Sequence, residues 1–324
     1  MVTFRKNGVV LVVIGTVAYS LSQWAQLVVL VRFASVETVG DFALALAISA
    51  PAFMFSNLRL RFLLATSADG HERFRTYRLL RVGTALLSGG VVVLIGAVVQ
   101  VPLSVVVLMA LLKATEAISD IHQGLFQQRE EFARFAQSQL AAAVVLLVGC
   151  YLGISFTGRL ESALLGMLIG RVAVLLLIDS NLSRRLYPAQ ADMLHENSRL
   201  EEMRLLVVAG LPLGLVALLV SLNANIPRYF VEGYLSTVDL GYFAAIVYIP
   251  AAGYLLAGTL GQVAMPRMAR AVANCDRSAL MAILTRLCLF GASLGGAGIL
   301  LASSMGGTIL SLLYGEEFSG LGRL

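Results

Sequence analysis

Charge is scarce in this sequence: Asp, Glu, Lys and Arg make up 13% of 324 residues, against 58% for the apolar and aromatic set with Cys. Soluble globular chains carry roughly 25% charge, so neither a soluble nor a secreted protein fits. Histidine is nearly absent. His71, His122 and His195 are the three, none at metal-ligand spacing from another, and no phosphate-binding glycine loop occurs. A zinc site and a nucleotide-driven motor therefore lack their residues. Cys150, Cys275 and Cys288 are odd in number and without metal-ligand spacing, and read as packing residues. No catalytic residue, metal or cofactor is expected.

What is present is apolar sequence in blocks of about 20 residues, the length that crosses a hydrocarbon layer roughly 30 Å thick. Nine such blocks can be read: Gly8–Val31, Phe42–Leu64, Val82–Val99, Pro102–Phe126, Ala136–Phe156, Ser162–Leu182, Leu205–Ile226, Leu240–Met265 and Leu287–Met305. The fold class is all-α, a polytopic transmembrane helix bundle. The first block follows Arg5 and Lys6 as a signal peptide would, but it is too long for one and lacks a small-residue cleavage site. It is expected to be retained.

The net charge of +5 does not point to nucleic acid, because the cations are spread over every second loop instead of forming a stripe. With the N-terminus in the cytoplasm, eighteen Lys or Arg residues fall inside, from Arg5 to Arg286, and only Arg32, Arg159, Arg228 and Arg323 fall outside. That asymmetry is the positive-inside bias of a multi-pass protein.

The polar stretch Ser183–Arg204 reads as a cytoplasmic linker between an N-terminal six-helix lobe, residues 1–182, and a partial second lobe, residues 205–324, of about three helices. A repeat supports two lobes. Ser35–Ala43 (SVETVGDFA) recurs in outline 201 residues later as Ser236–Ala244 (STVDLGYFA). Both copies would lie outside with the same helix direction, as parallel repeats of a transporter do. By this symmetry the chain is C-terminally incomplete, and Gly306–Leu324 is expected to lie outside, too short to span. Pro51, Pro212 and Pro250 interrupt spans; each is either a static kink or a bend that moves, its freed carbonyl satisfied by a neighbour or water. Gly149/Gly153, Gly166/Gly170 and Gly291/Gly295 are small-xxx-small pairs that permit close helix approach.

A charge near the bilayer centre costs about 2.5 to 3.5 kcal/mol even on gentle scales. In the fourth span Lys113, Glu116 and Asp120 follow one another at spacings of three and four, so they share a helical face. Either Lys113 lines a polar cavity with Glu116 or Asp120 in ion coupling, or a neutralised pair fixes helix contacts. Arg171 is a lone cation in the sixth span. It is placed to pair with the fourth span or to face an anionic substrate. Arg59 and Arg61 lie near the inner end of the second span, within snorkelling reach of the headgroups. Asn223, Asn225 and Arg228 cluster near the outer end of the seventh, and Asn57 precedes the Arg59/Arg61 pair.

Two stretches resemble the bacterial polysaccharide, or O-antigen, flippases of the multidrug/oligosaccharidyl-lipid/polysaccharide exporter superfamily. One is GDFALALAISAPAFMFSNLRLRFLLAT, Gly40–Thr66, with its Gly-aromatic start, proline-bearing helix and NLxLR end; the other is IPRYFVEGYLSTVDLGYFAAIVYIP, Ile226–Pro250. The resemblance implies a protein of the bacterial inner membrane that turns undecaprenyl-diphosphate-linked oligosaccharide from the inner to the outer leaflet, between two lobes and with no cofactor. It implies substrate-binding cations at Arg59, Arg61, Lys113 and Arg171; the residues themselves add Asn57, Asn223 and Asn225 as polar groups for the substrate and Glu116 and Asp120 as candidates for coupling. The expected partners are the lipid-linked oligosaccharide, membrane lipid, and a polysaccharide polymerase or other export proteins. A length of nine spans departs from the dozen or more in that family.

Two other readings remain open. A multidrug/cation antiporter of the same fold would favour acidic residues in an apolar cavity, and a non-transporting membrane subunit of a glycan-export complex would account for the short chain. A glycan polymerase or ligase would need a large outer loop, and the longest outer connection is only about a dozen residues.

Overall fold

The computed structural model describes residues 6–67, 73–187, 196–247 and 276–315, with 264, 268 and 271 as single positions. The described residues are helical with short connections: α1 Lys6–Phe33, α2 Val36–Ser56, α3 Leu60–Thr66, α4 Phe74–Val99, α5 Leu103–Gln128, α6 Phe132–Thr157 and α7 Leu160–Val174. A π-turn at Leu175–Asp179 leads into α8 Ser180–Leu186, and then come α9 Glu196–Tyr234, α10 Thr237–Val247 and α11 Arg277–Tyr314. Seven of these helical stretches are long and apolar enough to cross a membrane, which makes this a multi-pass membrane protein. α5 has the length, 26 residues, but carries Lys113, Glu116 and Asp120. The eighth expected span lies mostly outside the described residues, as do Pro250, Cys275, His71 and His195.

The chain divides into two compact units, Met1–Gly241 and Tyr242–Leu324. In the first, α1 packs on α6, α6 on α7, α4 on α5, and α2 on α9. Of the expected linker, Ser183–Leu186 close α8 and Glu196–Arg204 open α9. In the second unit α11 is one helix of 38 residues, about 57 Å at 1.5 Å per residue. Gly306–Tyr314, which follow the ninth expected span, continue its helix: glycine weakens a helix interior by only about 1 kcal/mol, and no proline intervenes.

The second expected span is two helices, not one kinked at Pro51. α2 runs through Pro51, and the carbonyl of Ala47 that the proline leaves unpaired accepts the Tyr229 hydroxyl of α9 at 2.5 Å. The break comes later, where Leu58 and Arg59 both take left-handed backbone, with φ of 48° and 51°. Neither is glycine, so this turn is strained. Gly210 and Gly214 of α9 lie directly against the carbonyls of Leu58 and Phe55 there, a small-xxx-small pair that packs the broken segment. Among the expected pairs, Gly149 packs on Gly166, Gly153 on Ser162, and Gly170 on Val145, whereas Gly291 and Gly295 have no described neighbour within 4 Å.

The repeated nonapeptides open helices in the same way. Ser35 accepts the Thr38 amide at 3.2 Å, and 201 residues on Ser236 accepts the Asp239 amide at 3.1 Å, an N-cap in each case. Gly40 lies against the carbonyl of Thr237 and Gly241 against that of Val36. Val36 and Thr237 are themselves equivalent positions, so the contacts are reciprocal, as a two-fold axis between the copies would place them.

Candidate functional site

The expected face on α5 is real and partnered. Lys113 Nζ donates to Glu116 Oε2 at 2.9 Å within the helix, both side chains being mostly buried. One turn on, Asp120 Oδ1 accepts from Arg61 Nη1 at 3.0 Å, and Arg61 also reaches Gln127 at 3.1 Å and Gln123 at 3.4 Å. Its guanidinium rests over the Phe135 ring, 5.1 Å from the centroid. The break at Asn57–Arg59 puts Arg61 in this position: it restarts the helix so that Arg61 faces α5 and Arg59, the N-cap of α3, faces outward. Arg61 keeps a side-chain exposure of 27%, so one edge of the guanidinium stays open.

Two buried groups that the hydropathy pattern concealed complete the cluster. Arg81, 3% exposed, donates from Nε to the Ala117 carbonyl at 2.8 Å, and its Nη2 lies 4.0 Å from Asp120. Asp120 is thus shared by two guanidinium groups. Asp179, fully buried at the end of the π-turn, accepts from Ser119 of α5, and its Oδ1 has no hydrogen-bond partner among the described residues. Gln123 donates to Ser138 of α6 at 3.1 Å. The signal for Arg81 was the run Phe74, Tyr77, Arg81, Ala85, Ser88: buried positions at helical spacing, beginning two turns before the apolar block. Arg81, one of the eighteen cations that the charge asymmetry assigns to the cytoplasmic side, lies inside α4.

Arg171 is also buried, 2% exposed, with Nε and Nη1 lacking partners among the described residues. The Tyr19 hydroxyl sits near both Glu116 and Arg171, so α1, α5 and α7 bring these groups to one region. Asn57 caps α2 with a buried Oδ1 that has no hydrogen-bond partner among the described residues. Asn223 and Asn225 do not converge: Asn223 is exposed, while Asn225 donates to Ser221 O at 2.8 Å and accepts from Arg228 at 2.6 Å. Chemically the cluster offers four cations, three of them (Lys113, Arg61 and Arg81) restrained by carboxylates, and of the guanidinium groups Arg61 keeps an open edge. That combination can take an anion without leaving a bare charge behind.

The family described as Polysaccharide biosynthesis protein matches residues 4–272. The chain belongs to this family. It is similar to the capsular polysaccharide biosynthesis protein CapF of Staphylococcus aureus, 25% identical over 311 residues that cover 94% of this chain and 76% of the relative. Among solved structures it resembles a MOP superfamily transporter from Pyrococcus furiosus, which is described as having a binding pocket of reverse polarity. The TM-score is 0.57 with 13% identity, over 97% of this chain and 74% of the other. This member of the polysaccharide biosynthesis family therefore has a MOP transporter fold.

Proposed function

We propose that this protein turns undecaprenyl-diphosphate-linked oligosaccharide from the inner to the outer leaflet of the bacterial cytoplasmic membrane, with its N-terminus and arginine-rich helix ends in the cytoplasm. The observation that carries the reading is the Arg61–Asp120–Arg81 arrangement: a partly open guanidinium held by a carboxylate that a second, buried guanidinium also reaches. A diphosphate arriving at Arg61 replaces Asp120 as its partner, and Asp120 keeps Arg81. Lys113 and Arg171 extend the cationic path, Asn57 supplies a polar group, and Glu116 and Asp120 restrain the cations while no substrate is bound. Membership of the polysaccharide biosynthesis family and the MOP fold support the same reading. A cation antiporter is less well supported, because both carboxylates on the α5 face already hold cations.

The test is expression of the protein in a bacterial strain lacking its own polysaccharide flippase. Restored surface polysaccharide, with clearance of lipid-linked oligosaccharide from the inner leaflet, is the expected result. Stable, membrane-inserted protein with no restoration of any of several glycans counts against it.

A further inference from the structure

A cavity of about 430 Å³ opens in the first unit where the start of α4, the last turns of α5 and α8 meet. Arg75, Arg78 and Arg184 line it, and none of its described lining residues is acidic. Its inner wall is built: His122 Nδ1 and Ser183 Oγ, both on buried side chains, are 2.7 Å apart. Phe74 packs edge-on against both His122 and Tyr187, with ring centroids at 5.4 and 5.6 Å. Among the described residues no ion pair holds Arg78 or Arg184. The cavity is separate from the Arg61 cluster. His122 follows Asp120 by two positions, about 200° around α5, so the two sites lie on opposite faces of that helix.

Arginines gather at one end of any multi-pass protein, but solvated headgroup arginines do not converge on a concave wall. The guanidinium groups of Arg78 and Arg184, held by no described carboxylate, are suited to a phosphate ester, which takes paired N–H donors in the plane of each group. The volume exceeds what a bare phosphate fills and falls in the range of small-ligand sites, about 300 to 1,000 Å³. The surroundings are apolar on the outward side. Leu79 adjoins Arg78 on α4, and the exposed Leu177 lies in the π-turn that leads into Ser180 and Arg184.

We propose that this cavity holds the phosphate headgroup of an anionic phospholipid, with its acyl chains lying along Leu79 and Leu177. The site is distinct from the substrate path and depends neither on the transported substrate nor on the orientation of the chain. An ordinary lipid held there would anchor the first unit to one leaflet while transport proceeds elsewhere.

The experiment is a titration of the delipidated, purified protein with phosphatidylglycerol or phosphatidylcholine, with retained lipid counted by native mass spectrometry. Phosphatidylglycerol is expected to be retained over phosphatidylcholine, and R78Q/R184Q is expected to weaken its retention by about tenfold or more. The charge-matched R129Q/R185Q, two exposed arginines outside the cavity, is expected to leave it unchanged. Millimolar inorganic phosphate should not displace the lipid. Should R78Q/R184Q unfold, R184E at its exposed position alone repeats the comparison. Equal loss in both double variants, equal retention of the two lipids, or displacement by inorganic phosphate overturns the proposal; the last would show a free-anion site. Transport in the flippase-deficient strain is a separate readout, so failure here and failure of the flippase reading are distinguishable.

Discussion

Tyr229 donates its hydroxyl to the carbonyl of Ala47 at 2.5 Å, and Ala47 is the residue four before Pro51. Proline cannot donate to that carbonyl, and within a bilayer no water is at hand to replace the missing N–H. The side chain from α9 therefore supplies the hydrogen bond that the sequence of α2 removes. Tyr229→Phe should destabilise the protein by about 1 to 2 kcal/mol. Pro51→Ala restores the amide donor and should make Tyr229→Phe nearly silent. A double-mutant cycle by thermal unfolding in detergent measures this, and additive losses would show that the two residues act independently.

The strained turn at Leu58 and Arg59 separates two roles that the NLxLR motif runs together. Arg59 has φ of 51° and faces outward. A glycine there relieves left-handed strain of about 1 to 2 kcal/mol, so Arg59→Gly is expected to be more stable than Arg59→Ala by about 1 kcal/mol. Unfolding temperatures of the two variants decide it, with no difference or the reverse order counting against strain at this position.

Gly40 and Gly241 each face a backbone carbonyl, which cannot be moved as a flexible side chain can. Leucine at either position is expected to cost about 2 kcal/mol or more by overpacking, and the two variants should behave alike because their contacts are reciprocal. Gly83→Leu is the control, since no atom lies within 4 Å of a side chain built there. A stable Gly40→Leu beside an unstable Gly241→Leu would contradict the reciprocity.

Lys113 and Glu116 are a mostly buried pair. Lys113→Met leaves Glu116 a buried charge near Tyr19 and should cost about 3 kcal/mol, most of which adding Glu116→Gln should recover. If Lys113 meets substrate, the double variant regains protein level but not transport. Recovery of both would make the pair structural only.

The fold was legible to the extent that bilayer thickness writes it into the sequence. Apolar blocks announced the spans, but not their ends, because α4 begins at Phe74 with outward arginines and α9 and α11 run well beyond their apolar cores. The break in the second span was hidden because Asn57–Arg59 contains neither glycine nor proline, while Pro51, the visible punctuation, sits in a continuous helix. On the α5 face, spacing alone aligned Lys113, Glu116 and Asp120. Their partners Arg61 and Arg81 lie 59 and 39 positions from Asp120, and Asp179 lies 60 from its donor Ser119. No local pattern encodes such distant pairings. The same limit applies to glycine: Gly149 and Gly291 carry identical spacing to their mates, yet only Gly149 has a described partner helix.

The account turns on Arg61, and the most direct measurement is leaflet transfer of a lipid-diphosphate oligosaccharide in vesicles reconstituted with the protein, its Arg61→Ala variant, or Arg61→Ala with Asp120→Asn. The account predicts transfer by the parent protein and a loss of about tenfold or more in Arg61→Ala at equal reconstituted amount. It also predicts no rescue by Asp120→Asn, since that change restores charge balance but not the cation. Transfer that is undiminished in Arg61→Ala, or restored in the double variant, would contradict it and leave the Arg61–Asp120 pair as a helix fastener.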